Sequence, residues 1–153
     1  MLDVAAWLAS VAILATGAAT HGRERNIGGV LLVGALALSF ALSIVLAFMP
    51  PPRWYLAAPE FLAIALAVRI WHDYGQGKAR VVALISMGKL GLRWGWSQGW
   101  IADHHVFAAA LNAGFLIQCL VAGGMLDGIG VAITDRFRAF RRRLAGSSRH
   151  GVA

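Results

Sequence analysis

Residues 27–49 read IGGVLLVGALALSFALSIVLAFM, 23 consecutive positions without an ionisable side chain. As a helix rising about 1.5 Å per residue, such a run is long enough for the roughly 30 Å hydrocarbon core of a bilayer. It is followed by Pro50, Pro51 and Pro52, which lack amide donors and cannot continue a helix. This stretch sets the reading of the whole chain as all-α and membrane-embedded.

Working outward, four further apolar runs appear. Residues 4–20 form an uncharged run upstream, separated from the first by the polar segment His-Gly-Arg-Glu-Arg-Asn at 21–26. It resembles a signal peptide in length, but its start carries Asp3 and no Lys or Arg; it is therefore read as a retained span. Downstream, residues 54–71 form a run interrupted by Pro59, Glu60 and Arg69, and residues 72–80 read as a loop broken by Gly75 and Gly77. Residues 81–101 begin apolar, then carry Lys89 and Arg93. Residues 106–126 are apolar apart from Asn112 and Gln118.

The composition agrees. Charged residues make up 14% of the 153 positions and hydrophobic residues 59%, with a mean hydropathy of +0.67. A water-soluble domain usually needs about 25% charged residues to cover its core, so lipid is the expected solvent for this chain's outside. The single Cys119 cannot form an intrachain disulfide.

Charge also orients the chain. The net charge is +7, and six arginines lie after position 135: Arg136, Arg138, Arg141, Arg142, Arg143 and Arg149. If all five runs cross, Arg23, Arg25, Lys78, Arg80 and this tail share one side, and Arg53 alone lies on the other. That is the asymmetry expected for an outside N-terminus and a cytosolic C-terminus. If residues 81–101 do not cross, the bias collapses. The expected architecture is thus a polytopic five-span bundle over residues 1–129, with a basic cytosolic tail over residues 130–153. The localisation it implies is a bacterial inner membrane.

Aromatic placement follows the same model, since Trp and Tyr favour the headgroup level. Trp54, Tyr55, Trp96 and Trp100 fall at the outer interface, with Trp7 near it, and Trp71 and Tyr74 fall at the inner one. Small residues recur every four positions at Ala5 and Ala9, and at Ala35, Ser39 and Ser43. In lipid such stripes let helix backbones approach closely, within one chain or between copies.

Few residues would be costly in lipid without a purpose. A carboxylate at membrane depth is expected to face the bundle interior and find a cation. Counted from the outer end, Glu60 lies roughly 9 Å deep and Arg93 roughly 12 Å deep, at about 1.5 Å per residue. Depth therefore pairs Glu60 with Arg93 and makes Lys89, one turn deeper, a second cation. On that reading Lys89→Met leaves the effect of Glu60→Gln unchanged. Asn112 and Gln118 lie on different faces of one helix and are expected to make helix-helix hydrogen bonds.

Asp103, His104 and His105 are weak metal candidates, because a zinc site needs three or four convergent ligands and adjacent helical residues diverge by roughly 100°. The expectation is no metal, with Asp103 starting the last helix. The five histidines fall in loops or at helix ends, which argues against haem. No cofactor and no catalytic residue is expected.

In the tail, Ile133, Phe137, Phe140 and Leu144 recur at helical spacing among arginines. This is the pattern of a basic helix lying on anionic headgroups, or of an unstructured flank that follows a last span. Lipid rather than nucleic acid is its expected partner. A peptide of residues 130–153 should gain helicity on anionic vesicles and release as salt rises, since screening lengths fall to about 3 Å at 1 M. Equal binding to neutral vesicles would show that charge does not drive the association.

Three functions are compatible with this chain. In build it resembles a membrane-lesion or pore protein of the holin type made by bacterial viruses: small, rich in spans with small residues, and ending in a basic tail. Such a protein would form homo-oligomers. The alternative is a scaffold or accessory subunit of a larger membrane complex. A third reading is a small transporter or membrane enzyme using Glu60, Lys89 and Arg93. No enzymatic motif is recognisable, and the expectation is that the protein is not an enzyme.

Overall fold

A computed structural model describes residues 2–48 and 56–127. These form five α-helices and no strand: α1 (Leu2–Arg23), α2 (Ile27–Ala47), α3 (Ala58–Tyr74), α4 (Gly77–Ser97) and α5 (His104–Ala122). The segment 49–55, with Trp54 and Tyr55, and the basic tail with Arg136, Arg138, Arg141, Arg142 and Arg143 lie outside the described residues.

Local chemistry sets the helix ends. The Asn26 side chain accepts a hydrogen bond from the Gly29 amide at 3.0 Å and starts α2. Asp103 accepts from the amides of His105 at 2.7 Å and Val106 at 3.3 Å, and so caps α5. Such caps satisfy amides that have no partner within the helix. Pro59, a flaw when residues 54–71 are read as one run, falls in the first turn of α3, where its missing amide costs nothing. Gly75 ends α3 at φ 65°, donating its amide to Trp71 O at 2.9 Å; a glycine in the left-handed region is the usual helix stop.

The helices run further than the apolar runs suggested. Only Gly75 and Gln76 separate α3 from α4, because Asp73 and Lys78 continue their helices as polar ends rather than leaving them. In turn, α5 stops at Ala122, four residues short of the apolar run, where Gly123 and Gly124 follow and Gly124 adopts φ 79°.

The short connections force neighbours to be antiparallel. Contacts run α1 to α2, α2 to α3, α3 to α4 and α4 to α5; α1 also meets α5, and α2 reaches α5 across the middle. The centre is filled by Leu32, Leu36, Val82 and Cys119, each no more than 1% exposed. At one end of the bundle, His21 Nε2 lies 2.8 Å from Ala122 O, and Gln76 Nε2 donates to Asn26 Oδ1 at 2.8 Å. Lys78 Nζ pairs with Asp127 Oδ2 at 2.5 Å. Among the described residues, two helices are long and apolar enough to cross a membrane, α2 over Ile27–Leu46 and α5 over His104–Ala122.

Candidate functional site

Glu60 is the third residue of α3, and Lys89 and Arg93 lie one turn apart on α4. The antiparallel α3–α4 hairpin brings all three together. Arg93 Nη2 donates to Glu60 Oε1 at 3.1 Å, and Lys89 Nζ lies 3.3 Å from the same oxygen. The Glu60 side chain is 2% exposed, that of Lys89 12% and that of Arg93 25%. Lys89 thus shares the carboxylate with Arg93 instead of standing apart as a second cation, so removing it cannot be neutral toward Glu60. Depth along the helix axes missed this because a lysine side chain is long enough to reach back one turn.

The cluster continues into α5. Lys89 Nζ donates to Gln118 Oε1 at 3.3 Å, and Gln118 Nε2 donates to Ser86 Oγ at 2.6 Å and to Val82 O at 3.2 Å. The Lys89 ammonium also sits 5.3 Å from the centre of the Phe115 ring, an arrangement that stabilises a cation in a dry setting. Its aliphatic stem crosses α5 at Gly114, where an added Cβ would lie 3.2 Å from Lys89 Cγ. Gln118 therefore ties α5 to the α3–α4 pair. Asn112 is half-buried, one and a half turns earlier on α5.

One carboxylate faces two cations, so the cluster carries one net positive charge. Among the described residues, Glu60 Oε2 and Arg93 Nε are both buried without a hydrogen-bond partner. Chemically the arrangement is an ion-pair lock joining three helices, with one acceptor and one donor unused.

A second buried polar group was missed from sequence. His21 sits in the last turn of α1 and is 2% exposed. Since Ala122 O only accepts, Nε2 carries the proton in that bond, which leaves Nδ1 buried and 3.8 Å from Glu24 Oε2. The available signal was Gly29, where an added Cβ would lie 2.6 Å from the His21 ring. A glycine that close makes room for a large neighbour.

Asp103 is taken up as the α5 cap, and His104 packs against the Trp96 ring at 5.6 Å. No group of three His, Cys, Asp or Glu side chains converges among the described residues. The ring of Trp96 stacks on Phe107 and that of Trp94 meets Trp100 edge-on, both at 4.7 Å between centroids. These rings gather at the α4–α5 end. At the other end, Trp71 lies under the Arg80 guanidinium at 4.5 Å. Comparison with known protein families, with curated proteins and with solved structures finds no match to this chain.

Proposed function

We propose that the protein is an integral membrane bundle in which all five helices cross, and that it serves as a scaffold or accessory subunit of a larger membrane assembly. The observation that carries this reading is the apolar outer surface of the bundle, with several polar side chains turned inward. Large apolar residues face outward on every helix, among them Leu8, Leu38, Phe61, Leu84 and Val106, each at least 55% exposed. Glu60, Gln118, Ser86 and Ser39 are buried. Within the apolar stretch of α5 only Gln118, Cys119 and Ala122 are buried by the rest of the bundle, and water would penalise the apolar surface left open at roughly 25 cal/mol per Å².

The same distribution explains how α3 and α4 could cross despite their charges. Lipid meets only the outer face of a helix, and the outward Phe61, Val68, Val81, Leu84 and Met87 are apolar. Glu60 is paired with both Lys89 and Arg93 inside the bundle, where intramembrane charges are tolerated. Arg69, 75% exposed by its side chain and just over one turn from the end of α3, can extend to the headgroups. Arg23, Arg25, Lys78 and Arg80 gather at one end of the bundle, matching a cytosolic side.

Two features favour a packed module over a lesion-forming protein. The centre is filled with side chains, and Ala35 and Ser39 of the small-residue stripe face inward, where they are buried within the chain. Reporter fusions after residues 26, 53, 76, 104 and 150 should alternate in, out, in, out, in. Induced expression should also leave the host's membrane potential intact. A fusion at 150 reporting outside would remove the five-span topology, and rapid collapse of the potential would favour the pore-forming alternative.

A further inference from the structure

Between α2 and α3 the outer face carries a groove of about 510 Å³, within the roughly 300–1,000 Å³ typical of small-ligand sites. Leu31, Gly34 and Leu38 form one wall and Leu66 part of the other, and the groove ends on Arg69 and Asp73. Gly34 leaves it open, since an added Cβ there would meet none of the described residues within 4 Å. The polar end lies beside the α3–α4 turn, at the end of the bundle that holds Arg23, Arg25 and Lys78. From Val30 to Leu38 the groove follows α2 for about 12 Å, less than the half-thickness of a roughly 30 Å hydrocarbon core.

Arg69 Nε donates to Asp73 Oδ2 at 2.6 Å, and His72 Nδ1 lies 3.0 Å from Asp73 Oδ1. A guanidinium has five N–H donors and a carboxylate about four acceptor positions, so both groups keep capacity beyond this pair. A fixed positive charge beside a fixed negative one, at the mouth of an apolar groove, is complementary to a zwitterion on an acyl chain.

We propose that this groove binds one phosphatidylethanolamine-type lipid of the cytosolic leaflet, its phosphate on Arg69, its primary ammonium on Asp73 and one acyl chain along Gly34. The proposal rests on the membrane reading above. A purely anionic headgroup would satisfy Arg69 but meet Asp73 with like charge. A choline headgroup has no N–H to give to Asp73.

The test uses the full chain purified in detergent and titrated with phosphatidylethanolamine, phosphatidylcholine or phosphatidylglycerol, with bound lipid counted by native mass spectrometry. Phosphatidylethanolamine should be retained roughly tenfold more strongly than the other two, the worth of one charge-assisted hydrogen bond. Asp73→Asn should erase its advantage over phosphatidylcholine. Gly34→Leu should lose the lipid while the protein unfolds at no lower a temperature in lipid-free detergent, which shows that the fold survives. Equal retention of the three lipids, or unchanged retention by Gly34→Leu, overturns the proposal. Alkaline carbonate extraction of the cell membranes separates the two levels. If the protein stays in the membrane but shows no lipid preference, the site alone fails; release by carbonate overturns both readings.

Discussion

Glu60→Gln is expected to lower the bundle's unfolding temperature in detergent more than any single change to its two cations. Among the described residues, the carboxylate is the only negative charge in a buried cluster that holds Lys89 and Arg93. Removing it leaves two cations facing each other without a counter-charge, and breaking a buried ion pair from one side commonly costs about 3–5 kcal/mol. Taking away either cation has a different consequence. Arg93→Met leaves Glu60 paired with Lys89, and Lys89→Met leaves it paired with Arg93, so each single variant retains a neutral pair and should lose far less. Glu60→Gln with Arg93→Met should recover only part of the loss, because Lys89 stays buried against Gln118. Adding Lys89→Met to that double variant should recover most of the remainder, as uncharged isosteres can replace a buried charge network at little cost. Equal unfolding temperatures for Glu60→Gln and Arg93→Met would mean that Lys89 does not share the carboxylate.

Gly17→Leu is expected to have the second large effect, by separating α1 from α5. An added Cβ at position 17 would lie 2.7 Å from the Gly123 Cα and 3.4 Å from Val33 Cγ2. The obstacle is backbone, which cannot rotate away as a side chain can. The helices must move apart, and the His21 to Ala122 bond a turn further along lengthens with them. Overpacking typically costs about 1–3 kcal/mol, and a leucine against backbone belongs at the upper end or beyond. Gly88 is the control, since an added Cβ there meets none of the described residues within 4 Å; Gly88→Ala should be neutral or raise stability by up to about 1 kcal/mol through helix propensity. Thermal unfolding of both variants in the same detergent checks the contrast. A Gly17→Leu protein as stable as the original would rule out the close α1–α5 approach.

Much of the architecture was legible before any coordinates, because its causes are local. The absence of charge over residues 27–49, the Asp103 start of the last helix and the Gly75 break depend on neighbours within a few positions, so they can be read along the chain; the Asn26 cap is equally local but was read only as part of a polar connection. The number of helices and the gathering of Arg23, Arg25, Lys78 and Arg80 at one end follow from that reading once adjacent helices alternate in direction. Glu60 was also conspicuous, since a carboxylate within an apolar run needs a partner somewhere.

Tertiary structure decided who the partners are and which way each face points. Counting along a helix gives height on its axis but not its rotation toward a neighbour. The heights of Arg93 and Lys89 on their common face therefore suggested one partner for Glu60, whereas the reach of the lysine stem supplies two. Rotation likewise placed Gln118 against Ser86 and left Arg69 outside. His21 looked like a loop residue because nothing within a few positions of it required burial. Its ring packs against Gly29 of α2 and is held by the carbonyl of Ala122, 101 residues away. Such a contact forms only when two helix ends meet in space, and local sequence sets no term that depends on that meeting.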